Sequence, residues 1–130
     1  MARIVALVAL LLVCSGANAQ FIEGSLFIEY WRAWQKGKGI GLERLTEPEF
    51  NKSTAYEHYI IGVVDGVRMG QTFSALKFIC LPDNVKSGQL FQIVSNWLEA
   101  NPAEWNESAR ELVSRALEEA WPERNGLDCP

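Results

Sequence analysis

The run Leu90-Phe91-Gln92-Ile93-Val94-Ser95-Asn96-Trp97-Leu98-Glu99-Ala100-Asn101-Pro102-Ala103-Glu104 decides the fold class. Leu90, Ile93, Val94, Trp97 and Leu98 fall at i, i+3, i+4, i+7 and i+8, which is one face of a helix. A half-buried strand would instead alternate apolar and polar residues. The pattern stops near Ala100. Asn101-Pro102-Ala103-Glu104 then predicts an immediate restart, with Asn as cap, Pro at the first helical position and Glu at the third. In the helix that follows, Ala109, Leu112, Val113, Ala116, Leu117 and Ala120 share a face, and Pro122 ends it.

Upstream the same period recurs. A first helix is predicted over about Ile22 to Lys36, rich in Phe27, Tyr30, Trp31 and Trp34, and stopped by Gly37-Lys38-Gly39-Ile40-Gly41. Thr46 with Glu49 fits a capping box, and Pro48 is tolerated in a first helical turn. From there Tyr56, Tyr59, Ile60, Val63, Val67 and Met69 trace an apolar face that carries to about Leu76. Leu81-Pro82-Asp83-Asn84 breaks the chain before the third helix. The expectation is an all-α fold: a small bundle of four to five helices with short connections and one intramolecular disulfide.

The cysteines bear on that bond. Met1 to Ala19 has the parts of a secretory signal: Arg3, the apolar run Ile4 to Val13, and Ala17-Asn18-Ala19 before cleavage at Gln20. Ten apolar residues are too few to cross a bilayer core, which takes about 20, so no membrane anchor is expected. Cys14 leaves with the signal. Cys80 and Cys129 remain in one domain, residues 20–130, in an oxidising compartment where a disulfide is the default. Their bond closes a loop of 49 residues, for which chain entropy gives about 4 kcal/mol.

Charge narrows the partners. From Gln20 to Leu98 eight acidic and eight basic residues cancel, whereas Glu99 to Pro130 holds eight acids against Arg110, Arg115 and Arg124. That excess disfavours nucleic acid and anionic membranes and suits a basic protein surface. Glu104, Glu107, Glu111 and Glu118, spaced three, four and seven apart, are expected as one stripe on the fourth helix. The bland reading is a solvated face; the sharper one is a docking surface for a cationic partner.

Gly62, Gly66 and Gly70 recur every four residues, and each glycine costs a helix about 1 kcal/mol relative to alanine. The reading preferred here is close approach of another helix, and the alternative is a hinge or ligand groove. Asp65 among them stands within reach of Arg68 for an intrahelical pair. Catalysis finds little support. His58 is the only histidine, no Gly-x-Ser-x-Gly elbow occurs, and an oxidised cysteine pair leaves no Cys–His couple. No metal, cofactor or enzymatic activity is expected.

Ile61-Gly62-Val63-Val64-Asp65-Gly66, Phe78-Ile79-Cys80-Leu81-Pro82, Gln89-Leu90 with Val94 and Trp97-Leu98, Asn101-Pro102, and Ala116-Leu117 with Ala120-Trp121-Pro122 follow in order. In that order and spacing they resemble the Rap/Tai immunity proteins, small secreted helical bacterial proteins that neutralise cell-wall amidase toxins of type VI secretion. The family usually places a cysteine directly after the last proline. Here Glu123 stands there and Cys129 comes six residues later.

The resemblance implies a periplasmic immunity protein, homodimeric, that occludes a peptidoglycan amidase toxin. The alternative is a stand-alone periplasmic helical domain with a structural or stress-related envelope role. Gln20 to Thr46, with exposed-looking aromatics and the glycine linker, distinguishes the two if it forms a partner surface.

Overall fold

The computed structural model describes residues 22–73 and 79–122. The expected signal (Met1 to Ala19), Leu76 and Cys129 lie outside these residues. Helix α1 spans Gly24–Ile40, α2 Glu47–Phe73, α3 Ser87–Ala100 and α4 Ala109–Ala120. Short 3-10 turns occupy Leu42–Arg44 and Pro102–Glu104. Among the described residues extended pairing is limited to two isolated antiparallel bridges, Glu23 with Ser108 and Ile79 with Pro122. The all-α expectation is met.

Helix α1 begins two residues later than its pattern suggested and runs four residues further. Gly37, Lys38 and Gly39 lie inside it. Gly37 is buried, and a Cβ built there would stand 2.9 Å from Leu42 Cδ2 and 3.0 Å from Leu45 Cδ1. Its missing side chain lets the following turn fold back onto the helix. The stop is Gly41, whose φ of 94° lies where residues with a Cβ are strained. The aromatics of α1 turn inward. Phe27 is fully buried, and Trp31 and Trp34 are nearly so, which removes them as an exposed partner surface.

Half of the expected capping box starts α2: the Glu49 side chain reaches back to Thr46, while the Thr46 hydroxyl donates instead of accepting from the Glu49 amide. The Thr46 amide and hydroxyl both donate to Glu49 Oε2 at 3.0 Å, and Phe50 N donates to Thr46 O at 2.9 Å. The buried stripe of α2 is Tyr56, Ile60 and Val64, an exact i, i+4, i+8 spacing, with Tyr59, Val63 and Val67 half-covered beside it. Met69, expected on the apolar face, is 62% exposed. Five residues past Val64, it points away from the Tyr56–Ile60–Val64 stripe.

Helices α1 and α2 pack as one pair and α3 and α4 as another, with α2 also touching both members of the second pair. Leu90, Val94 and Leu98 from α3 meet Leu112, Val113, Ala116 and Leu117 from α4 in the same core as Phe27, Trp31, Tyr56 and Ile60. Fully burying a leucine such as Leu98 or Leu112 is worth about 1.5–3 kcal/mol. Buried polar ends are matched. Trp31 Nε1 donates to Ser95 Oγ at 2.9 Å, and Tyr56 OH donates to Phe91 O at 2.9 Å.

One expected helix start is displaced. Asn101 closes α3 rather than opening α4, its side-chain amide donating to Trp97 O at 2.8 Å. After the 3-10 turn, α4 begins at Ala109, with Ser108 as cap accepting from Glu111 N at 3.3 Å. The intervening turn is held by Trp105, whose Nε1 donates to Leu98 O at 2.9 Å. It also receives the start of α1. Ala109 N donates to Ile22 O at 3.0 Å, and a Cβ on Gly24 would fall 2.0 Å from Glu107 O.

Candidate partner surface

Because 101–108 is not α-helical, the four glutamates do not form a single helical stripe. Glu104 sits on the 3-10 turn, Glu107 in the turn before α4, Glu111 in the first turn of α4 and Glu118 in its last. Arg115 divides them. Its Nη1 donates to Glu104 Oε2 at 2.6 Å and its Nε to Glu111 Oε1 at 3.3 Å. The bond to Glu111, with the charges of Glu104, Glu111 and Glu107, strengthens the guanidinium's hold on its proton. All three partners are partly exposed, so this network orders the turn more than it stabilises the fold. Glu107 and Glu118 have no ion pair among the described residues and supply the remaining anionic charge.

Neighbouring charges are spent on the framework. Lys52 Nζ pairs with Glu29 at 2.8 Å, and Lys36 Nζ with Glu49 at 2.6 Å. Lys36 and the two Thr46 donors hold the Glu49 carboxyl down to about 2. Hydrogen bonding and charge from Lys52 lower the Glu29 pKa, and the same pair raises that of Lys52. Trp34 Nε1 donates to Glu57 Oε1 at 2.9 Å and Trp97 Nε1 to Glu119 Oε2 at 2.8 Å. Each indole is thereby fixed in orientation.

The glycine motif does not serve packing within the described chain. Gly62, Gly66 and Gly70 are exposed, and no described atom lies within 4 Å of a Cβ built on any of them. The α1 contact runs along the opposite stripe, Tyr56–Ile60–Val64. Asp65 is exposed, and Arg68 Nη2 reaches Pro82 O at 3.5 Å rather than Asp65. His58 is also exposed. No group of three potential metal ligands occurs among the described residues.

Cys80 is buried, and its amide donates to Trp121 O at 3.0 Å. With the Ile79–Pro122 bridge, this fastens the entry of α3 to the exit of α4. Sequence reading missed the Arg115 clamp, although the i, i+4 spacing of Glu111 and Arg115 signals half of it. Nothing local signals the reach of Arg115 to Glu104 or of Trp97 to Glu119. No described helix is long and apolar enough to cross a membrane.

Among the described residues the helices form one scaffold in which no buried side-chain polar atom lacks a partner. A family model for the Rap1a immunity proteins matches residues 36–122, and the chain belongs to that family. The match runs from the end of α1 through Pro122 and so takes in α2, α3 and α4. No curated protein and no solved structure shows a significant match to the chain.

Proposed function

We propose that this protein is exported to the periplasm, is closed by a Cys80–Cys129 disulfide, and binds and occludes a peptidoglycan amidase toxin of type VI secretion. The family match over residues 36–122 is the observation that carries this reading. The mechanism is steric cover rather than chemistry. Tight binding is needed, because a few uninhibited amidase molecules continue to cut the wall.

The scaffold suits that task. Trp31, Trp34, Trp97 and Trp105 are pinned by hydrogen bonds and no described buried polar side chain lacks a partner, so little order remains to be acquired by these residues on docking. A standard interface of about 800 Å² per partner fits a domain of this size. Glu107 and Glu118 are the members of the acidic set left to steer a cationic partner. The protein acts as a homodimer in this reading.

Periplasmic expression of the toxin encoded beside this gene, with and without the protein, tests the assignment. Protection from lysis together with a co-eluting complex supports it. Lysis in both strains and no complex overturn it in favour of a stand-alone envelope domain.

A further inference from the structure

A groove between α3 and α4 has its own chemistry. It encloses about 280 Å³ and is lined by Ile93, Asn96, Trp97 and Ala100 on one side and Ala116 and Glu119 on the other, with Asn101 and Ala120 at its ends. Pockets for drug-sized ligands start at about 300 Å³, so this space suits one inserted side chain better. The Glu119 carboxylate is fixed there, because Oε2 accepts from Trp97 Nε1 at 2.8 Å while Glu119 stays exposed.

The lining includes the last residues of both helices, Ala100 of α3 and Ala120 of α4. A helix C-terminus carries roughly half a negative charge and is normally matched by Lys or Arg in the last turn. Neither helix has a basic residue there. The last turns instead carry Glu99, Glu118 and Glu119, each placed against its own helix dipole. No cation lines the groove among the described residues. Among the described residues the groove thus presents one fixed carboxylate, that of Glu119, and no cation beside it.

We propose that the α3–α4 groove is the docking pocket for a single arginine or lysine side chain of the partner protein. The inference rests on the reading that the chain binds a toxin, and it adds where that partner is gripped. The aliphatic stem lies against Ile93, Ala100, Ala116 and Ala120, and the charged head reaches Glu119. This differs from the Arg115-clamped turn, whose acids already hold an internal cation.

The test follows the Trp97 indole N–H by nuclear magnetic resonance in the mature full chain. N-acetyl-arginine methylamide is the probe and N-acetyl-glutamate methylamide the control. The arginine probe should shift the resonance saturably, and the glutamate probe should leave it in place. Glu119→Gln keeps an acceptor for the indole and removes only charge. It should bind the arginine probe at least about threefold more weakly while melting within a few degrees of the parent. An unmoved indole, an equal response to both probes, or an unaltered titration in the variant overturns the proposal.

The lysis assay separates the two readings. Protection by both the parent and Glu119→Gln with equal toxin affinity removes the groove and leaves immunity standing. A groove that binds arginine in a protein giving no protection removes the immunity reading alone.

Discussion

The amide of Cys80 donates to the carbonyl of Trp121 at 3.0 Å, so the chain entering α3 is fastened to the chain leaving α4. Ile79 and Pro122 form a bridge beside this bond. The buried sulfur of Cys80 is therefore carried by a segment paired with the start of the tail that bears Cys129. Seven residues lie between Trp121 and Cys129, and at about 3.3–3.6 Å per extended residue a span of that length is long enough to permit closure.

If the proposed bond forms, the intact mass of purified protein is about two daltons below that of its reduced form. Cys80→Ser and Cys129→Ser each lower the unfolding free energy by about 2–4 kcal/mol in urea titrations. Quantitative thiol labelling of both cysteines in the native protein contradicts the bond.

Ser95→Ala strands the buried indole N–H of Trp31, which has Ser95 Oγ as its partner. Leaving such a donor unsatisfied costs about 1–3 kcal/mol. In a double-mutant cycle with Trp31→Phe, removing the serine costs less once the indole N–H is gone. Additive losses in chemical denaturation contradict the coupling.

Two glycine substitutions act in opposite directions. Gly66→Ala fills open space on an exposed helix and stabilises the fold by about 0.5–1 kcal/mol. Gly24→Ala places a methyl 2.0 Å from the Glu107 carbonyl and 2.5 Å from that of Trp105. Backbone must then move, at a cost of about 1–3 kcal/mol. Melting temperatures that shift in the same direction for both variants refute this reading.

Glu49 gives a pH dependence of known sign. Its folded carboxyl is lowered from 4.5 to about 2 by Lys36 and Thr46, so the unfolded chain binds its proton first as acid is added. The contribution is complete above about 4.5 and is lost as pH falls towards about 2. Thermal melts across that window should fall less steeply for Glu49→Gln than for the parent protein. Parallel curves contradict the assignment.

Charge reversal tests the acidic rim. Glu107→Lys combined with Glu118→Lys slows association with the toxin and flattens its salt dependence, while dissociation changes little. Stopped-flow association rates that match the parent at every ionic strength remove the steering role.

The helices were legible because their signals are local. The Thr46–Glu49 pairing and the Leu90-to-Leu98 spacing each concern neighbours on one turn or one face: Glu49 reaches back to Thr46, and Leu90, Val94, Trp97 and Leu98 are buried, with Ile93 half-buried. Boundaries failed where a distant contact decided the outcome. Gly37 continues α1 because Leu42 and Leu45 pack where its side chain would be. Asn101 ends α3 because its side chain finds Trp97 O, and the following turn is held by Trp105 and the start of α1. The acidic stripe failed with that boundary. A residue count along an assumed helix cannot place Glu104 beside Arg115 through a 3-10 turn. The glycine motif was visible as a pattern, but its orientation depends on which stripe of α2 is covered by α1.

Inhibition of the purified neighbouring toxin on isolated peptidoglycan tests the central reading most directly. With enzyme well above the dissociation constant, release of cross-link fragments should fall linearly with added protein and cease at one subunit per toxin. Undiminished cleavage at a tenfold excess of this protein, with its fold confirmed by circular dichroism, contradicts an occluding immunity role.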